Sequence, residues 1–191
     1  FDAGEYTCRI AGEVKGFQPG DFIDVRLAKR LDRFAQFALV AGIEAVEDSG
    51  IDFSQQDPRR SGVLVGSGIG GLGEMESQHD RLRDRGPGKV SPFLVPKLMM
   101  NAASGQLSIH FGLRGLSIAI ASACASATHS LGEAARIIRR GEADVMLAGG
   151  SEAANTPLGL AGFCALKALS TRNDDPTHAS RPFDADRDGF V

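Results

Sequence analysis

The sequence predicts an α/β layered fold, a sheet covered by helices. Two observations carry this: short apolar strand-like runs alternate with helical stretches of ten or more residues, and no internal repeat, low-complexity tract or linker interrupts the alternation. With 191 residues, the chain is long enough for one substantial domain.

The elements follow in order. Leu27, Leu31, Phe34, Ala38, Ala41 and Ala45 recur at steps of three and four and the run closes at Asp48-Ser49-Gly50, which predicts one amphipathic helix over about 25 to 48. Gly62-Val-Leu-Val-Gly is a short buried strand, followed by a glycine cluster from Gly66 to Gly73. Residues 74 to 85 are polar and helical, Gly86 to Pro92 is loop, and Pro96 opens another helix through about His110. Leu116 to Ala121 is a second buried strand. The helix after Cys124 sets Ala127, Leu131, Ala134 and Ile138 on one side and ends at Gly141, and Ala143 to Gly150 is a third strand. Phe1 opens the chain without a methionine and Val191 closes it in a turn about to feed a strand, so both ends read as cut.

Composition narrows the function. A formal net charge of −3 gives nucleic acid no obvious handle. The three cysteines, Cys8, Cys124 and Cys164, show neither disulfide nor zinc-ligand spacing, which suits a reducing cytosol. No apolar run is long enough to span a bilayer, and no signal segment opens the chain, so a soluble cytoplasmic protein without membrane insertion is expected.

Cys124 is the most informative residue. It lies between a strand-like run and a small-residue helical run, where unpaired N–H groups and the helix dipole favour a thiolate. A lone cysteine among alanines and serines is by default a small buried hydrophobe, and Cys8 and Cys164 are assigned to packing or surface on that basis.

Five motifs surround and support this position: Ser122-Ala-Cys-Ala-Ser-Ala-Thr-His129, Gly66-Ser-Gly-Ile-Gly-Gly71, Ala143 to Glu152 (ending Gly-Gly-Ser-Glu), Ala168-Leu-Ser-Thr-Arg-Asn173, and Ser180-Arg-Pro-Phe-Asp184 with Arg187-Asp-Gly-Phe-Val191. In this order they resemble the β-ketoacyl-acyl carrier protein synthases of bacterial fatty acid synthesis, within them the synthase II branch. The resemblance implies a thiolase-like α-β-α-β-α fold, of which the chain covers most of the first half, and normally a homodimer. It implies that Cys124 accepts an acyl group from acyl carrier protein, and that malonyl-acyl carrier protein then loses carbon dioxide and attacks the thioester in a ping-pong Claisen condensation. The Cys124 N–H would contribute to the oxyanion hole. No cofactor is implied beyond the phosphopantetheine on the carrier protein, and no metal.

By the same resemblance, Gly68, Ile69, Leu94, Ala123, Gly159 and Phe163 line the acyl pocket, with Ile69 limiting chain entry and Leu94 reaching into the partner subunit's pocket. Leu94 stands where a phenylalanine is common, which leaves chain length open. Arg26, Lys29 and Arg30 match positions that receive the acidic carrier protein, although a run of charge is by default a solvated helix face. The family's two catalytic histidines and lysine belong to second-half motifs that do not occur here. His79 and His178 sit in polar segments, His110 ends a helix, and His129 lies roughly 140° around the helix from Cys124, so it is expected to be a buried, hydrogen-bonded residue and not a base.

Alternative readings compete at particular motifs. Gly66 to Gly71 fits the dinucleotide fingerprint, but no strand bearing an acidic residue follows at the required distance. Asp184-Ala-Asp-Arg-Asp188-Gly189 fits the first half of a calcium loop and is expected instead to be a structural turn. A polyketide ketosynthase shares the fold and cysteine but typically carries Asp-Thr-Ala-Cys-Ser-Ser, and a non-catalytic chain-length partner usually lacks the cysteine.

Overall fold

A computed structural model describes all residues from Phe1 to Val191. The chain forms two compact units, one of residues 18–153 and one built from residues 1–17 and 154–191.

The larger unit holds a three-stranded parallel sheet in the order β2-β1-β3, formed by β1 (Ser61–Gly66), β2 (Ser117–Ile118) and β3 (Val145–Gly150). Every residue of the central strand β1 is buried. Register pairs Val63 with Ser117 and Leu64 with Ile118 on one side, and runs from Ser61–Val145 to Gly66–Gly150 on the other. Leu64, Ile137 and Ala143 form a core cluster, with Ile120 and Met146 packed against it.

The first helical stretch is broken where one helix was expected. α1 (Val25–Ala28) is capped by Asp24, which accepts the N–H groups of Arg26 and Leu27, and α2 (Arg33–Ser49) starts afresh at Asp32, which accepts from Phe34. Asp32 is extended (φ −74°, ψ 162°), so the chain turns there although the apolar spacing runs on in phase. α2 buries Phe34, Ala35, Ala38, Leu39, Val40 and Gly42, leaving Ala41 and Ala45 outside. A side chain on Gly42 would collide with Leu107, so glycine there lets α2 lie close to the helix that carries Leu107. The helix stops at Gly50 in the left-handed region (φ 65°).

α3 (Leu72–Arg85) forms as expected, but the next helix divides into α4 (Leu94–Leu98) and α5 (Ala102–Phe111). The Leu98 carbonyl accepts the Gly71 N–H at 3.2 Å and Met99 is extended, so the helical ladder is interrupted where α4 turns toward the glycine loop. β2 is shorter than expected for a similar reason. The Val65 N–H donates to Ser104 Oγ (3.0 Å), which itself donates to the Ile118 carbonyl (2.7 Å), so a side chain from α5 replaces the strand ladder beyond Ile118. With only β1 beside it, β2 is an exposed edge and not a buried strand: Leu116 and Ile118 are 40% and 38% exposed.

α6 (Ser126–Arg139) buries Ser126, Ser130, Ala134 and Ile137, whereas Leu131 and Ile138, expected inside, are exposed. Close approach to the sheet selects this face. A Cβ on Gly66 would sit 2.8 Å from the Ser126 carbonyl and Ser130 Oγ, and one on Gly150 would sit 2.6 Å from Ala127 Cβ. Beside these glycines only small residues fit, whereas further along the helix Ile137 packs into the core cluster.

In the smaller unit, α7 (Pro157–Ala165) is capped by Thr156, whose Oγ1 accepts the Gly159 N–H at 3.1 Å. Asn173 ties the segments together, accepting the Arg9 N–H and donating to the Thr7 carbonyl. Cys8 is buried and Cys164 half-buried. The aspartates of the calcium-like run are engaged by protein donors: Asp184 accepts from the Asp186 N–H and Arg181, and Asp188 from Ser170 Oγ and the Thr171 N–H.

Candidate active site

Cys124 is presented by a tight turn. Ala123 adopts a left-handed conformation (φ 51°), rare for a residue with a Cβ and costing on the order of 1 kcal/mol or more. The turn is closed by the Ala125 N–H donating to the Ser122 carbonyl and the Ser126 N–H to the Ala123 carbonyl, both at 3.1 Å, and neither bond uses the Cys124 N–H. Ser126, the first residue of α6, clamps it: its Oγ accepts the Ser122 N–H (2.9 Å) and donates to the Ala123 carbonyl (2.6 Å). Cys124 itself is exposed, immediately before the Ala125 cap of α6.

His129 is one turn into the helix and pairs its Nδ1 with Ser122 Oγ at 2.6 Å. It is hydrogen-bonded as expected but exposed, not buried, because the buried face of α6 runs through Ser126 and Ser130. The other histidines stand in solvent, His79 beside Asp80, His178 bonded to Asp175, and His110 edge-on to Phe111.

The glycine loop lies against this turn. Gly68 approaches so closely that a Cβ on it would lie 3.5 Å from Ala123 Cα and 2.9 Å from Glu152 Oε2. Glu152 organises the loop, accepting the Gly68 N–H at 2.7 Å, the Ile69 N–H at 3.1 Å and Ser67 Oγ at 3.2 Å. Ser67 Oγ in turn accepts the Gly70 N–H at 3.0 Å. The amides that would cradle a pyrophosphate are thus held by a carboxylate, whose charge would repel one, and this removes the physical basis of the dinucleotide reading. Sequence reasoning did not single out Glu152. Its signal is the β1–β3 register, which, continued two residues beyond Gly66–Gly150, places Gly68 opposite Glu152.

Ile69, 38% exposed, lines an open groove of about 640 Å³ with Met75, Leu98, Met99, Met100 and Ile118. Leu94 opens α4 half-buried and does not line this groove. The structure therefore sets Gly68 against Ala123, the residue before Cys124, whereas the neighbouring Ile69 lines the groove beside it. Gly159 and Phe163 lie on α7 in the smaller unit, Gly159 bonded to its cap and Phe163 packed edge-on against Phe190 with ring centres 5.9 Å apart. Arg26, Lys29 and Arg30 are all exposed around the end of α1, none in an ion pair, and the Arg30 guanidinium lies over the Phe93 ring at 5.3 Å.

Residues 3–191 match the family described as Beta-ketoacyl synthase, N-terminal domain. The 3-oxoacyl-(acyl-carrier-protein) synthase 2 of Vibrio cholerae is 52% identical over 191 residues, 100% of this chain and 46% of that protein. A β-ketoacyl synthase crystal structure from Burkholderia phymatum superposes with a TM-score of 0.82 at 31% identity, covering 97% of this chain and 46% of that one. A type II polyketide ketosynthase solved with its acyl carrier protein superposes with a TM-score of 0.76 at 28% identity, covering 82% and 46%. The chain spans about half the length of the curated relatives it matches.

Proposed function

The chain belongs to the β-ketoacyl synthase family, and we propose that it carries the acyl-accepting half of the active site of a 3-oxoacyl-acyl carrier protein synthase of fatty acid elongation. The observation that carries this reading is the exposed Cys124 thiol, held on a strained, doubly clamped turn against the glycine loop.

The chemistry runs in two displacements. Cys124 Sγ attacks the carbonyl of an acyl thioester on the carrier protein's phosphopantetheine, and the tetrahedral intermediate collapses with loss of the phosphopantetheine thiolate, which takes up a proton. Malonyl-carrier protein then loses carbon dioxide, and the resulting carbanion attacks the Cys124 thioester carbonyl, expelling the Cys124 thiolate and leaving a β-ketoacyl-carrier protein. A thiolate serves both steps because it is a competent nucleophile and a competent leaving group. The Cys124 N–H, not used by the turn bonds, is assigned to the oxyanion, where one aimed donor is worth roughly 3 to 4 kcal/mol. The decarboxylating histidines and lysine are assigned to sequence outside these 191 residues.

Gly68, Ile69 and Ala123 form the near wall of the acyl pocket; by the family resemblance Gly159 and Phe163, in the smaller unit, are assigned as acyl-contacting residues, and Leu94 as reaching into the pocket of a partner subunit. Arg26, Lys29 and Arg30 receive the carrier protein, a reading supported by their exposure and by the related ketosynthase solved with its carrier protein. The open edge of β2, with Leu116 and Ile118 exposed, is a surface that homodimerisation would cover. No helix is long and apolar enough to cross a membrane. A cytoplasmic location is proposed on the family resemblance alone. Cys124→Ala tests the assignment: alanine suits this turn, so the full-length gene product folds but no longer transfers acyl groups, and unchanged transfer kinetics would remove the nucleophile role.

A further inference from the structure

A buried charge cluster that takes no part in the reaction ties α4 to the glycine loop. Asp32, 6% exposed, accepts the Phe34 N–H at 3.2 Å with one carboxylate oxygen and the Glu74 N–H at 3.1 Å with the other, joining the starts of α2 and α3. Glu74 in turn pairs with Lys97 of α4 at 2.9 Å, with 12% and 15% of the two side chains exposed. One ammonium thus sits near two carboxylates in a site largely shielded from water. A buried ion pair is a poor source of net stability, because desolvation offsets most of the attraction; fixing one geometry is its best-attested use.

The geometry it fixes is visible one residue along. The carbonyls of Lys97 and Leu98 press on the glycine loop so closely that a Cβ on Gly71 would lie 2.5 Å from the first, and one on Gly70 2.6 Å from the second. The Gly71 N–H donates to Leu98, and from that point Leu98, Met99 and Met100 face Ile69 and Ile118 across the groove. The position of α4 therefore sets how far these apolar side chains stand from Ile69.

We propose that Lys97, through its ion pair with Glu74, is a positioning residue that holds α4 against the glycine loop and thereby limits the length of acyl chain the groove admits. This rests on the reading of Ile69 as a pocket residue. Releasing α4 widens the groove, so selectivity shifts toward longer chains.

The test compares rates of Cys124 acylation, as second-order constants, from octanoyl- and tetradecanoyl-carrier protein in the full-length gene product. Lys97→Met raises the long-to-short ratio on the order of tenfold, the scale on which an apolar pocket discriminates one methylene. Lys97→Arg keeps the ion pair and the original ratio. Should Lys97→Met not fold, Glu74→Leu combined with Lys97→Met leaves no uncompensated charge at the pair and is read in the same way. If the ratio stays put in the Lys97 variants, even with both rates lowered together, while Ile69→Phe moves it, the positioning role is overturned and the pocket reading stands. If Ile69→Phe also leaves it unmoved, the pocket reading fails and the inference falls with it.

Discussion

Ser126→Ala isolates the clamp on the Cys124 turn. Ser126 is 4% exposed, and its hydroxyl is the acceptor for the Ser122 N–H and a donor to the Ala123 carbonyl. Without the hydroxyl the Ala123 carbonyl still receives the Ser126 N–H at 3.1 Å, so only the Ser122 N–H is left without its partner. A part-buried donor left without its acceptor costs about 1 to 3 kcal/mol, so roughly 2 kcal/mol disappears from the turn. The left-handed Ala123 already carries strain in the opposite direction, so the loss falls on the conformation that presents the thiol. At 1.4 kcal/mol per factor of ten, the presenting conformation loses roughly 30-fold against relaxed alternatives. Urea unfolding should show about 2 kcal/mol of destabilisation, and stopped-flow acylation of Cys124 should slow by about tenfold or more. Wild-type acylation combined with the full stability loss would mean that the clamp serves the fold alone, and no change in either would refute the reasoning altogether.

Three further outcomes follow from other parts of the structure. Burial pushes the Asp32 carboxyl above the ordinary carboxylate range, outweighing the Phe34 and Glu74 N–H bonds that pull it down. Its contribution to stability is therefore fully present below its unfolded value of 3.8 and is lost as pH rises through its folded pKa, so wild type gains on Asp32→Asn as pH falls from neutral; a gap in urea midpoints that is flat or reversed with pH would contradict this. The guanidinium of Arg60 holds Asp144 below the usual range, with the opposite sign: this contribution is present above the unfolded value and lost as pH falls through the folded pKa, so Asp144→Asn should be less sensitive to acid than wild type, as read by thermal melts at several pH values. Changing Arg26, Lys29 and Arg30 to glutamate should weaken carrier protein binding most at low salt, and equal titration curves would reduce the patch to solvated surface.

The elements that follow local chemistry were legible in the sequence: β1, α3 and β3 lie within a residue or two of where their apolar runs and glycine boundaries place them. The departures all occur where a distant partner outweighs the local pattern. Asp32 breaks the first helix because its other oxygen is engaged by Glu74, across the unit, and α4 ends where Leu98 bonds Gly71. Ser104, on α5, truncates β2 by occupying the Val65 N–H. On α6 the apolar period selects Leu131 and Ile138, but the sheet approaches the first turns so closely that Ser126 and Ser130 take the inner face there, with Ala134 and Ile137 following on the same side. The site divides in the same way. Cys124 and the glycine loop carry their signal in adjacent residues, whereas Glu152 and Ser126 act through backbone amides that only the strand register and the turn bring within reach.

The central claim is that Cys124 accepts an acyl group. Incubating the full-length gene product with acyl-carrier protein, then digesting it and measuring peptide masses, tests this directly. The expected result is one acyl mass on the peptide containing Cys124, discharged when malonyl-carrier protein is added. An acyl mass confined to the peptides of Cys8 or Cys164, or none on any cysteine, would contradict it.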